Sequence, residues 1–135
     1  MYTMKQACAL TQLPYETLKF YCNQGLVPNV KRDALNRRVF DARDIAWINS
    51  LNCLRGCGLG IAEMRDYIAL CLEGERTIPE RKALLEAKRT ELLARQRELQ
   101  DALDYIDWKQ HFYDDVLAGR QPYVSNLLPR TDEET

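Results

Sequence analysis

The sequence predicts a mainly α protein: a compact helical head carrying one β-hairpin, followed by a single helix of about 40 residues. Three observations predict it. In the first 75 residues, short apolar stretches are closed at close intervals by Gly or Pro. Between residues 29 and 41 no helical period survives, and Val30 and Val39-Phe40 flank a polar stretch with Asp33 and Asn36. After Pro79 neither Gly nor Pro recurs until Gly119, while apolar residues return at intervals of seven.

Thr3-Met4-Lys5-Gln6 reads as a capping box, Thr at the cap and Gln three residues on, opening a helix over roughly 4–10. Pro14 suits the first turn of a second helix, roughly 14–23, which Gly25 closes and Pro28 forbids from continuing. The hairpin follows. Asp41 caps a third helix over about 42–56, ended by Gly56 and Gly58. A fourth spans about 61–72 and stops at Gly74. Thr77-Ile78-Pro79-Glu80 reads as another capping box at the start of the long helix. Leu10, Leu13, Leu18, Leu26, Trp47, Leu51 and Leu54 are the expected core of the head. The predicted units are residues 1–75, a winged helix-turn-helix head, then 76–118, the long helix, and 119–135, a loose tail with Pro122 and Pro129.

The long helix is about 60 Å at 1.5 Å per residue, too long to be covered by a head of this size. Ile78, Leu85, Leu92, Leu99, Ile106 and Tyr113 stand in unbroken register of seven, the period of a coiled coil. The companion positions are mixed: Leu103 and Leu117 are apolar, whereas Arg89, Gln96 and Gln110 are not. The expected assembly is a two-chain coiled coil, hence a homodimer.

Charged residues make up 29% and apolar residues 46%, and no apolar run is long enough to span a bilayer. The N-terminus lacks the apolar segment of a signal peptide, so a cytoplasmic, thiol-reducing location and no membrane partner are expected. Five cysteines make an odd number without a disulfide framework. The net charge of −1 disguises a local excess: residues 17–43 hold six cations against two carboxylates, and the rest is mildly acidic. Phosphate responds to the local field, so nucleic acid remains a candidate partner. An enzyme is not expected: there is one histidine, no acid–base motif and no phosphate loop.

With helix, turn, helix and basic hairpin in place, the residues resemble a known family. "TLKFYCNQGLV", 17–27, resembles the T-L-R-Y-Y-x-x-x-G-L signature of MerR-family transcription regulators. "RRVFDARDI", 37–45, is similar to that family's wing and third-helix entry, and "GLGIAEMRDYI", 58–68, to its fourth-helix opening. The resemblance covers residues 1–118. "DIAWINSLNCLRGCGLGI" and "LEGERTIPERKALL" most resemble the aldehyde- and nitrosative-stress branch, the NmlR/AdhR-like regulators. It implies an antiparallel pairing of the long helices and a dimer on a pseudo-palindromic operator in double-stranded promoter DNA. It also implies activation by distorting that DNA, which aligns two overlong-spaced promoter elements for RNA polymerase.

In this frame Tyr15, Glu16 and Thr17 open the second helix, where side chains reach base edges. Lys19 stands where the family has arginine and serves a phosphate as a point charge. Tyr21 keeps a hydroxyl for a phosphate; Phe20 has lost one. Arg37 and Arg38 on the hairpin reach the backbone or a narrow minor groove. Pro14 and Glu16 depart from the family's usual residues, so its operator preference need not transfer in detail.

Cys53 and Cys57 lie one helical turn apart. At about 100° per residue, Trp47, Leu51 and Leu54 share one face, Cys57 flanks it and Cys53 lies roughly 120° away. The branch carries a cysteine at the place of Cys53. The reading is a thiol that meets electrophiles or oxidants at Cys53, with Cys57 as packing or a resolving thiol. The aromatic set Tyr105, Trp108 and Phe112, near the far end of the long helix, is a candidate lining for that site in an antiparallel dimer. No cofactor and no metal are expected. Alternatives are a regulator of this kind without thiol sensing, including metal at Cys53, Cys57 and Cys71, and a coiled-coil interaction protein.

Overall fold

The structure is a computed structural model and describes residues 1–129. Its elements are β1 (Tyr2–Thr3), α1 (Met4–Thr11), α2 (Tyr15–Asn23), β2 (Lys31–Arg32), β3 (Arg38–Phe40), α3 (Ala42–Gly56), α4 (Ile61–Leu72), a short 3₁₀ turn (Glu75–Thr77) and α5 (Ile78–Leu117). The three strands form one antiparallel sheet in the order β1-β3-β2, with Tyr2 opposite Phe40 and Arg32 opposite Arg38. The hairpin is therefore a three-stranded wing, its third strand supplied by the N-terminus.

The caps follow the sequence. The Thr3 hydroxyl accepts from the Gln6 N–H at 3.2 Å, and the Gln6 side chain accepts from the Thr3 N–H at 2.9 Å. Asp41 and Asp44 do the same for α3, both at 2.9 Å. Pro14 is the cap of α2 rather than its first residue; its carbonyl accepts from the Thr17 and Leu18 N–H groups. Thr77 does not form the expected box. Its hydroxyl donates toward the Leu70 carbonyl at the end of α4 and accepts from Arg81 Nε at 3.0 Å. The residue thus ties α4 to α5 instead of satisfying the N–H groups of α5.

Ala7, Leu18, Leu26, Phe40, Ile48 and Leu51 are fully enclosed where α1, α2, β3 and α3 meet. Leu54, Met64 and Ile68 extend the core to α4. Leu13 and Trp47 pack at its edge, and the Trp47 indole donates to the Leu26 carbonyl at 2.8 Å. Leu10 is an exception to the expected core. The inward face of α1 is Ala7 and Thr11, one turn apart, which leaves Leu10 half exposed.

The chain divides into two compact units, Met1–Leu92 and Leu93–Thr135. The first turns of α5 belong to the first unit because Leu84 packs on its core and Lys88 pairs with Glu63 at 2.8 Å. In the second unit α5 ends at Leu117, and Gly119 follows with a φ of 75°, in the left-handed region glycine enters freely. Arg120 then turns back to Asp115 at 2.9 Å. Residues 119–129 form no helix or strand, and 130–135 of the predicted tail lie outside the described residues. No residue of α5 is buried. Among the described residues no helix is long and apolar enough to cross a membrane.

Candidate nucleic-acid interface

Two elements build the basic surface: the first turns of α2 and the wing. Tyr15 and Glu16 are exposed and Thr17 is half-buried. The Lys19 ammonium sits 5.9 Å from the centre of the Tyr15 ring, a cation–π distance that holds the two side chains side by side.

The wing is shaped by one carboxylate. Asp33 accepts from the Leu35 and Arg37 N–H groups at 2.9 Å each, which closes the turn, and Asn36 takes a φ of 60° within it. The N–H of Arg37, then that of Leu35, keeps the Asp33 carboxyl below its usual range. Its second oxygen accepts from Arg37 Nε at 3.0 Å, and Arg32 donates to the Asn36 carbonyl at 2.9 Å. Arg38 reaches back from β3 to Asn23 Oδ1 at 2.6 Å. Asn23 ends α2, so this bond fixes the wing to the candidate recognition helix. A hollow of about 380 Å³ lies between them, lined by Lys5, Tyr15, Arg32, Arg37 and Arg38 among others.

The cations are not equal. Lys31 is spent inside the head: its ammonium lies 2.8 Å from Asp41 and 3.3 Å from Asp44. Chiefly through the Lys31 hydrogen bond, the Asp41 carboxyl is lowered to about 2. Arg37 is half-compensated by Asp33. Lys5, Lys19, Arg32 and Arg38 have no carboxylate partner among the described residues. Lys5 and Arg32, which sequence patterning did not single out, line the same hollow. Lys5 reaches the wing only because β1 pairs with β3, and a two-residue strand carries no period.

Tyr21 sits deeper than its expected phosphate role suggests. Its side chain is 3% exposed in the core, and its hydroxyl accepts from Arg55 Nη1 at 3.3 Å. That hydroxyl keeps its own proton to donate, beside the hollow that Glu16 and Thr17 also line. The residue beside it, Phe20, is the exposed one.

The cysteines separate as well. All five lie within the described residues and none is bonded to another; Cys53 is exposed and the other four are half-buried. Burial pushes the Cys8 and Cys22 thiols up, in Cys22 against the opposing pull of Arg38 and Arg32. Cys57 ends α3, its N–H bonded to the Cys53 carbonyl at 3.1 Å. Among the described residues no three His, Cys, Asp or Glu side chains gather to hold a metal ion, so Cys53, Cys57 and Cys71 are not brought together. The six heptad residues Ile78, Leu85, Leu92, Leu99, Ile106 and Tyr113 are all exposed, from 37% to 66%. Tyr105, Trp108 and Phe112 form a continuous row, with centroids 6.1 and 6.2 Å apart.

Residues 2–71 match the family model described as MerR HTH family regulatory protein, and residues 46–108 match that described as MerR, DNA binding. An uncharacterized HTH-type transcriptional regulator of Haemophilus influenzae is 32% identical over 96% of this chain and 98% of its own. The HTH-type transcriptional regulator AdhR of Bacillus subtilis is 40% identical over 57% of this chain and 55% of its own. Among solved structures, the chain is similar to HiNmlR, a MerR family regulator lacking the sensor domain, bound to promoter DNA. That similarity has a TM-score of 0.71 at 32% identity, covering 87% of this chain and 93% of that one. A MerR family regulator from Listeria monocytogenes superposes with a TM-score of 0.77 at 35% identity, covering 88% and 90%. These relatives are transcriptional regulators, not enzymes. The wing, the paired helices and the long fifth helix are thus shared with proteins of one kind, and the chain belongs to the MerR family of helix-turn-helix regulatory proteins, on its NmlR/AdhR-like branch.

Proposed function

We propose that this chain is a dimeric transcription regulator that grips promoter DNA with α2 and the wing and reports thiol stress through Cys53. One observation carries the DNA reading. Arg38 bonds Asn23, so a cationic wing and the exposed first turn of α2 form one surface around a shared hollow. A duplex meets such a surface with α2 in the major groove and the wing on the neighbouring backbone or minor groove. Tyr15, Glu16 and Thr17 then read bases, while Lys5, Lys19, Arg32, Arg37 and Arg38 meet phosphates. Glu16 accepts from cytosine N4 and repels phosphate. That a solved relative is bound to promoter DNA supports a duplex as the partner of this surface.

The exposed heptad row of α5 supports a homodimer, antiparallel as in the family, and hence a two-fold operator. Activation follows as distortion of that operator, which brings spaced promoter elements into line for RNA polymerase. Bending a site costs a few kcal/mol, so a modest change in dimer geometry shifts the output. For sensing, the favouring observation is exposure: a thiol must be reachable to react, and Cys53 is the exposed one. Cys57, one turn away, is the resolving candidate.

The test of the DNA reading is a salt titration. Binding to a labelled duplex selected from a random-core library is followed by anisotropy between 50 and 300 mM KCl. Arg38→Ala should weaken binding across sequences and flatten the slope of log affinity against log salt by about one unit. Tyr15→Ala should change which duplexes are selected. If neither variant alters affinity or selection, the assigned surface is wrong.

A further inference from the structure

The start of α5 grips α4 at both ends. Just past the C-terminal end of α4, Arg81 donates to Thr77 Oγ1 at 3.0 Å and to the Gly74 carbonyl. Toward the N-terminal end, Lys88 sets its ammonium 2.8 Å from Glu63 and 3.0 Å from Glu91. Leu84 lies between these grips and packs on the core of the head. The two Lys88 contacts are unlike. Glu91 is an exposed neighbour on α5 itself, a pair of small effect. Glu63 belongs to another helix, and the Lys88 side chain is only 13% exposed, so an ammonium drawn this far from water depends on that carboxylate. Glu63 in turn serves two partners. Its Oε2 accepts from Lys88, and its Oε1 accepts from the Gly60 N–H at 3.3 Å, where α4 begins. Lys88 first, then the Gly60 N–H, keeps the Glu63 carboxyl below its ordinary range.

We infer that Lys88 is a positioning residue for DNA recognition: through Glu63 it fixes the turn between α3 and α4, which backs the first turns of α2. The turn needs fixing. Residues 57–60 join the two helices, and Gly58 and Gly60 make that backbone soft. The buried Leu59 side chain pins its middle, and the Glu63 carboxylate holds its end at Gly60. Glu63 is itself partly exposed, and Lys88 removes the freedom it would otherwise have. The turn also shares a wall with the reading helix. Leu59, Gly60 and Ile61 line a hollow of about 400 Å³ that Glu16, Thr17 and Phe20 of α2 also line. A turn that drifts withdraws the support behind Glu16 and Thr17, the side chains assigned to base edges. Lys88 does not act by meeting phosphate. Its charge is matched by two carboxylates, so its effect on a duplex is geometric. The chain of contacts from α5 through Lys88, Glu63 and Gly60 carries a shift of the first turns of α5 into the surface that reads DNA.

The role assigned to Lys88 rests on the DNA reading of α2 and the wing, and the two can fail separately. Full-length wild type, Lys88→Met, Lys88→Arg, Glu63→Gln and the double variant Lys88→Met with Glu63→Gln are compared for affinity to a selected duplex and to a scrambled one. Amide exchange at Gly60 and Ile61 is followed by NMR in the same proteins. Glu63→Gln keeps an acceptor for the Gly60 N–H and removes only the ion pair. The two single variants change the net charge in opposite directions, so a loss common to both is geometric. Lys88→Met and Glu63→Gln should each weaken the selected duplex about fivefold and leave the scrambled duplex within about twofold, with an unchanged salt slope. Exchange at Gly60 and Ile61 should rise about tenfold. The double variant should be no worse than either single, and Lys88→Arg should stay near wild type. Should thermal melts show Lys88→Met unfolded at the assay temperature, Lys88→Gln takes its place. A wild type that binds no duplex overturns the DNA reading, and the role of Lys88 with it. A wild type that binds, with singles that keep their selectivity or with losses that add in the double variant, overturns the role of Lys88 and leaves the DNA reading standing.

Discussion

At the scale of single residues, the side chain with the clearest expected consequence is Cys53. It is exposed on α3, away from the face that carries Leu51 and Leu54 into the core. Competitive alkylation read by mass spectrometry should label Cys53 first, ahead of Cys8 and Cys22, whose thiols are buried further and raised. Cys53→Ser should keep duplex affinity within about twofold while abolishing the response of a promoter reporter to aldehydes, nitrosothiols and quinones. Labelling no faster than at Cys8, with an intact response in the serine variant, sinks the sensor and leaves a regulator without a thiol switch. The helical wheel was enough to separate Cys53 from Cys57, because both lie on one regular helix whose core face the sequence displays. It did not show that Tyr21, expected at a phosphate, sits so deep. The hydroxyl of Tyr21 meets Arg55, a residue 34 positions away, and no local pattern announces that contact.

At the scale of elements, the regular helices were legible to within a residue or two. Each is bracketed by signals that act locally: Thr3 with Gln6, Asp41 with Asp44, Gly25 and Gly58 at left-handed φ. What the sequence concealed depends on pairing between distant segments. Strand β1 exists because Tyr2 and Thr3 find the free edge of β3, and Thr77 abandons a cap for a carbonyl of α4. Lys31 is the same kind of feature: it reads as one more cation of a basic stretch, yet it fastens β2 to the cap of α3. Its effect has a pH signature. Asp41 is lowered from 3.8 to about 2, so its contribution is complete above its unfolded value and is lost as pH falls from about 4 toward 2. Lys31 is raised above 10.5, so its contribution is complete below that value and is lost only as pH rises beyond it. Lys31→Met should lower the melting temperature at pH 7 and shrink the further fall between pH 5 and 2.5. An unchanged acid profile in thermal melts followed by circular dichroism counts against the clasp.

At the scale of the whole molecule, assembly is the expectation with the largest effect. Leu92→Asp with Leu99→Asp puts charges into the centre of the heptad row and should cost several kcal/mol of association. Sedimentation should then show monomer, and operator affinity should fall by at least about a hundredfold, because two linked heads bind far more tightly than one. A monomeric variant that holds DNA as tightly as wild type contradicts the scheme.

The bare surface of α5 has a further consequence, for the life of the protein rather than its grip on DNA. Beyond the first turns, which Leu84 and Lys88 fasten to the head, this helix owes its order to backbone hydrogen bonds and to whatever covers its leucines. A newly made copy that has not met another therefore carries an unshielded apolar stripe, the kind of surface that chaperones and proteases survey. Pairing hides it. The lifetime of the regulator then rises with its own abundance, and dilution at each cell division clears it faster than first-order loss alone.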